Sequence, residues 1–268
     1  LMAGFWWMAW SGVGPLRYHT FFPLWLGYIL LVDGITRWRI GTSLLQRLGR
    51  NAVWLFVISI PFWWAFEILN IRLDNWVYRL PHHYTWLAYH AEASLAFSTV
   101  VPAVFVTAEL LRTVWTKNIT LITLNPSMRE RNLIGMAGFV MIALSLIWPH
   151  LFFPLVWIGT FFATDWLGYR IGARSISAQV ASGHWTTVAT LFMSTFWCGI
   201  LWEMWNSGST PSWTYRIAYA DWFRIFEMPL LGFGGYLPFG LCLYAATMLV
   251  DRLVGDRIGS AVHFDQAR

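Results

Sequence analysis

Charge is scarce in this chain. Asp, Glu, Lys and Arg make up 12% of its 268 residues, about half the share of a soluble domain. A water-facing surface on all sides is thereby excluded. Cysteine is almost missing as well. Cys198 and Cys242 both lie in apolar runs, which gives neither a disulfide framework nor a metal motif. They read as small buried thiols. Long basic runs are absent too. The net charge is +5, but the cations fall in short stretches between apolar runs. They report membrane orientation, and nucleic acid is not expected as a partner. No signal-peptide pattern opens the chain, and residue 1 already lies in apolar sequence.

What is present is apolar and aromatic. Hydrophobic residues are 57% of the chain and the mean hydropathy is +0.52. These values predict an all-α integral membrane protein. There are 20 Trp, and many suit the headgroup level, where an amphipathic ring is favoured.

The sequence reads as a duplicated unit. Ala3-Gly4-Phe5, Phe22-Pro23-Leu24, Gly27, Asp33 and Arg39-Ile40-Gly41 recur as Ala137-Gly138-Phe139, Phe153-Pro154-Leu155, Gly159, Asp165 and Arg170-Ile171-Gly172. Glu67, Asn70, Trp76, Tyr78, Glu92 and Pro102 recur as Glu203, Asn206, Trp213, Tyr215, Glu227 and Pro238. Each copy holds four apolar segments: 1–14, 20–37, 51–71 and 86–113, then 133–149, 152–171, 185–206 and 223–251. The match implies that the first helix lacks part of its N-terminal end here. An even helix number gives both copies the same topology, so the expectation is about eight transmembrane helices in two parallel four-helix repeats. The division is 1–115, a cytoplasmic linker 116–131, 132–254, and a loose cytoplasmic tail 255–268.

Charge placement gives the orientation. With a cytoplasmic N-terminus the inner loops hold Arg37, Arg39, Arg47, Arg50, Arg112, Lys117, Arg129, Arg131, Arg170, Arg174, Arg252, Arg257 and Arg268. The outer loops keep only Arg17, Arg72, Arg79, Arg216 and Arg224. This bias places both termini in the cytoplasm, in a bacterial inner membrane.

Two carboxylates per copy stand in or beside spans, where an ionisable group is a functional candidate. Glu67 and Asn70 share a helix face, as do Glu203 and Asn206. Glu92 and Glu227 are expected to open the fourth helix of each copy. Trp76-Val77-Tyr78 and Trp213-Thr214-Tyr215 lie in the outer loops between. Four carboxylates, two amides and two W-x-Y turns should therefore meet near the outer boundary. The four glutamates are the catalytic candidates. Asn70, Asn206, Trp76, Tyr78, Trp213 and Tyr215 are the ligand-binding ones.

Three readings follow. A carboxyl in low dielectric holds its proton and serves as a general acid toward an isoprenoid, with rings stabilising a carbocation. Alternatively the glutamates tie two half-bundles through Asn, Tyr and Trp donors. A metal site with His82, His83 and His90 is the third, but the spacing is poor and no metal is predicted. Asp33 and Asp165 read as partners of Arg37, Arg39 and Arg170 at the inner interface, before a proton path. Gly232, Gly234 and Gly235 suggest close helix packing, and Pro102 and Pro238 suggest kinks.

The segments F-F-P-L-W-L-G-Y, S-T-V-V-P-A-V-F, W-E-M-W-N and F-E-M-P-L-L-G-F-G-G-Y-L-P-F resemble a family of uncharacterised bacterial polytopic membrane proteins. A helix acid, a W-x-Y about nine residues on and a glutamate at the next helix also resemble the lycopene cyclase domain of bacteria and fungi. Glu67, Trp76, Tyr78 and Glu92 carry that likeness, as do Glu203, Trp213, Tyr215 and Glu227. Where that domain has Pro-x-Glu-Glu, this chain has Ala91-Glu92-Ala93 and Phe226-Glu227-Met228-Pro229. The resemblance implies acid cyclisation of a polyene. The expected function is binding of an isoprenoid, carotenoid or lipid, with acid-type carotenoid chemistry as its enzymatic form. The alternative is a non-catalytic subunit of a respiratory or photosynthetic membrane complex. Membrane lipids and neighbouring subunits are the expected partners. A transporter ranks third.

Overall fold

The computed structural model describes residues 1–81, 83–220 and 222–265. The chain is mostly helical: α1 Met2–Ser11, α2 Phe21–Ile40, α3 Leu44–Leu48, α4 Val53–Leu73, then strand β1 Trp76–Arg79. Helices α5 Trp86–Phe97, α6 Val100–Val114, α7 Met128–Ile147, α8 Pro149–Phe152, α9 Leu155–Arg170, α10 Ile176–Ala181 and α11 Thr186–Ser207 follow. Strands β2 Ser212–Tyr215, β3 Arg224–Ile225 and β4 Met228–Pro229 precede α12 Tyr236–Leu253. Four stretches are long and apolar enough to cross a membrane: Leu44–Leu73, Trp86–Val114, Met128–Ile147 and Leu230–Leu253.

Helix α6 lies at the centre, buried without a break from Val100 to Ala108. Helices α2, α4 and α11 pack around it, α12 packs on α11, and α9 joins α12 to α7. Helix α7 is the outlying member, with Leu133, Met136, Phe139 and Val140 exposed. In lipid, such a face needs no polar cover. The closest approaches use glycine. A β-carbon on Gly27 would stand 2.6 Å from the backbone nitrogen of Met2, and one on Gly159 would stand 2.7 Å from the carbonyl of Gly138. Only a missing side chain lets those backbones approach so far.

Several expectations change. The segment 86–113 is two helices, because Ser98 and Thr99 turn their hydroxyls back to the carbonyls of Leu95 and Ala96, and the helix restarts at Val100. Pro102 and Pro238 then stand third in α6 and α12. That is the first turn, where an amide hydrogen has no helical acceptor anyway, so neither proline kinks a helix. The proline inside a helix is Pro61, in α4.

Nor is 223–251 one helix. Arg224–Ile225 pairs antiparallel with Met228–Pro229, and Phe226 at the turn has a left-handed φ of 57°. A 3-10 turn, Leu230–Gly235, leads into α12. β-Carbons on Gly234 and Gly235 would meet nothing within 4 Å, and one on Gly232 would meet the Met228 side chain. Gly234 and Gly235 therefore form no close helix contact, and Gly232 makes room for the Met228 side chain.

The linker is ordered, as is the tail through Asp265. The linker pairs with the α10–α11 turn through Leu121 N to Gly183 O and Trp185 N to Ile119 O, 3.1 and 3.0 Å. Buried Arg112 donates to the carbonyls of Trp115 and Lys117 at 2.6 and 3.1 Å. Residues 128–131 already belong to α7, opened by a capping box between Ser127 and Glu130. In the tail, Asp251 accepts from the amides of Arg257, Ile258 and Gly259 at 2.7–2.8 Å. Arg174 and Arg47 donate to the carbonyls of Gly259 and Ala261 at 2.6 and 2.8 Å. Ile258, Val262 and Phe264 are buried beneath them. The tail docks because its backbone polar groups find these charged partners.

Asp33 and Asp165 do not pair with the arginines beside them. Asp33 accepts from the Ser43 hydroxyl and the Leu45 amide at 2.7 and 3.0 Å. Asp165 accepts from the Ile176 and Ser177 amides at 2.6 and 3.0 Å. Each carboxylate thus holds the start of the next short helix, α3 or α10, where orphan amides and the helix dipole favour negative charge.

Candidate functional site

The W-x-Y turns meet each other. β1 and β2 pair antiparallel with Trp76 opposite Tyr215 and Tyr78 opposite Trp213. Each strand is fixed to the helix before it by an asparagine. Helix α4 ends at Asp74 with a left-handed φ of 51°, which folds the chain back over Asn70. The Asn70 amide then donates to Trp76 O at 2.8 Å, and its oxygen accepts from Asn75 N and Trp76 N at 2.9 and 3.3 Å. Asn206 on α11 donates to Trp213 O at 2.8 Å and accepts from Trp213 N at 2.7 Å. Both amides act as strand anchors, and no water is needed to satisfy these backbone groups.

One helical turn earlier, each helix carries a glutamate beneath its strand. Glu67 Oε1 accepts from Trp63 Nε1, Trp76 Nε1 and Tyr78 Oη at 2.8, 3.0 and 2.6 Å. Glu203 Oε1 accepts from Tyr215 Oη and Tyr236 Oη, both at 2.6 Å, and Trp213 Nε1 donates to that same Tyr215 oxygen at 2.7 Å. Glu203 is 0% exposed, and its Oε2 is buried with no hydrogen-bond partner among the described residues. Burial, reinforced by the neighbouring carboxylates, pushes the Tyr78 and Tyr215 phenols well above the usual tyrosine range. Both remain protonated donors, as their bonds to Glu67 and Glu203 require.

Rings fill the space between the two glutamates. Phe239 of α12 lies 5.8 Å from Trp63, 5.5 Å from Trp157 and 6.2 Å from Trp202, centroid to centroid. Trp157 stacks on Phe66 at 4.5 Å, and Trp25 meets Trp205 edge-on at 4.7 Å.

The other two glutamates do not stand at helix starts. Glu92 does not open a helix: α5 starts at Trp86, capped by the Thr85 hydroxyl at 3.2 Å. Glu92 lies nearly two turns in, half-exposed, 3.1 Å from His19 Nδ1. Glu227 sits at the β3–β4 turn, its carboxylate 3.9 Å from Arg224 Nη1. So eight of the ten candidates join one hydrogen-bonded assembly; Glu227 is tied to its edge by Arg224, which donates to Glu227 O and Tyr215 O at 2.9 and 3.1 Å, and Glu92 pairs with His19 instead. Trp63 and Tyr236 belong to it and were not singled out in the sequence. Trp63 was findable, since it stands four residues before Glu67 on the same helix face. Tyr236 was not, because only tertiary packing brings it to Glu203.

A cleft of about 770 Å³ opens where β1 runs into α5, lined by Tyr78, Leu80, Pro81, His83, Tyr84, Trp86, Tyr89 and His90. His90 is built into its wall, between Trp64 at 5.0 Å and Trp86 at 4.2 Å. His82 lies outside the described residues. No group of three His, Cys, Asp or Glu side chains placed to hold a metal occurs among the described residues.

Comparison with family models, curated proteins and solved structures finds no match for this chain. The fold and site therefore define a helical membrane-type protein with an aromatic-caged carboxylate pair, and the reading of its function rests on geometry.

Proposed function

We propose that the protein binds an isoprenoid, carotenoid or other lipid at the outer end of an inner-membrane bundle. The bundle is two parallel four-helix repeats, about eight spans, with both termini cytoplasmic. The observation that carries the proposal is the aromatic cleft beside the Glu67–Tyr78 pair. Its volume suits the head and first segment of a lipid or isoprenoid, and its rings suit the interface.

The repeat reading is supported by the like placement of Asn70 with Asn206, of Glu67 with Glu203, and of Asp33 with Asp165. It also makes sense of a difference. At the same offset Trp63 aligns with Gly199 and Val100 with Tyr236. The extra donor to the carboxylate comes from the same helix in one half and from the next helix in the other. A β-carbon on Gly199 would stand 2.5 Å from the Tyr236 ring, so the two replacements fit each other.

Glu67 and Glu203 serve first as ties between strand and helix. An acid-catalytic role, as the lycopene cyclase resemblance implies, is favoured at Glu203 alone by its unpartnered Oε2. Purification from the native membrane, with an absorption spectrum and mass spectrometry of what accompanies the protein, tests the proposal. A stoichiometric polyene, isoprenoid or lipid is expected. Stoichiometric partner chains without one would replace it by the complex-subunit reading.

A further inference from the structure

We infer that the cleft between β1 and α5 takes a quaternary or methylated ammonium group. This rests on the lipid-binding reading and names the chemistry of the head that the cleft would hold. Four of its lining residues, Tyr78, Tyr84, Trp86 and Tyr89, are aromatic. A bulky, weakly hydrated cation is attracted to aromatic faces by the ring quadrupole, whereas a neutral alkyl group of the same shape gains only apolar contact.

The surrounding charge has the right sign. Glu67 lies close enough to Tyr89, and Glu92 to Tyr84, for each carboxylate to be felt at the ring. Glu67 also holds the Tyr78 hydroxyl at 2.6 Å, which fixes that ring at the cleft edge. Of the groups nearby that can carry positive charge, His83 and His90 line the cleft as imidazoles, His19 is engaged with Glu92 at 3.1 Å, and Arg79 is exposed at the end of β1. His90 Nδ1 donates to Trp86 O at 2.8 Å, and the His90 ring lies stacked on Trp64. The ligand chemistry has two sources, a phospholipid head such as phosphocholine and a free methylated amine. The cleft opens at the end of a span, where either can reach it.

The test uses the full chain in nanodiscs of an uncharged galactolipid, which carries neither an amine nor a net charge that would itself gather the cation. Saturation-transfer NMR follows tetramethylammonium and, separately, its neutral carbon analogue 3,3-dimethyl-1-butanol. The ammonium is expected to bind more tightly. Trp86→Leu and Tyr84→Leu should each weaken it by about 2- to 30-fold, the range of one cation–π contact, and leave the alcohol unchanged. Thermal melts of both variants check that folding is intact. Nanodiscs of phosphatidylcholine then separate the sources: blocked tetramethylammonium binding assigns the lipid head, and unchanged binding assigns a free amine. Equal binding of ammonium and alcohol overturns the ammonium inference but leaves an apolar ligand site standing. Binding of neither, with no change in co-purifying lipids in Trp86→Leu, overturns both.

Discussion

Gly199→Ala is the most exacting perturbation of the site. The new β-carbon would stand 2.5, 2.6 and 2.7 Å from three ring carbons of Tyr236. Tyr236 follows a 3-10 turn and its ring stacks near Trp202 at 6.0 Å, so it has little room to withdraw. Moving it costs about 1–3 kcal/mol of overpacking. Loss of its 2.6 Å bond to Glu203 costs a further ~1.5–3 kcal/mol, because the acceptor is a buried carboxyl group. Alanine returns about 1 kcal/mol of helix propensity over glycine. The net is a destabilisation of roughly 1.5–5 kcal/mol. The assay is equilibrium unfolding by SDS in mixed micelles, with Gly234→Ala as control. A β-carbon there meets nothing within 4 Å, and it should be near neutral. Tyr236→Val in the Gly199→Ala background should cost much less than the sum of the two single changes, since the clash is gone. A Gly199→Ala variant as stable as the control, or strict additivity in the double variant, would refute the reasoning.

Other predictions follow the same geometry. Asn206→Ala removes both hydrogen bonds that anchor β2 and should cost about 2–4 kcal/mol, seen as a lower melting temperature and faster protease cleavage between residues 208 and 216. Asp251→Ala leaves three backbone amides without their acceptor, so the segment 257–265 should become open to carboxypeptidase while the rest of the chain stays resistant. Glu203→Gln keeps shape and places an amide where Oε1 accepts two phenols. If Glu203 is only a tie, any bound lipid should be retained at lower stability; if it is an acid catalyst, bound substrate should accumulate unconverted, read by mass spectrometry of the extract.

The sequence by itself determined the solvent and the coarse class. Low charge and long apolar runs leave lipid as the medium, and in lipid the backbone must pair with itself, so helices follow. It also determined most of the site, because Glu67 with Asn70, and Glu203 with Asn206, are set on one helix face by the helical period alone. The pairing of the two W-x-Y turns needed the fold, since strands of four residues carry no register of their own until helices bring them together. The roles of Glu92, Glu227 and the tail also needed it. Whether a glutamate opens a helix depends on where the cap forms, and Thr85 and the Phe226 turn moved both starts. Whether a tail is loose depends on partners far away in sequence, here Arg47, Arg174 and Asp251. Tyr236 reaches Glu203 only because Gly199 leaves space on a different helix. Such complementarity is a property of packed surfaces, and no local pattern in either segment encodes it.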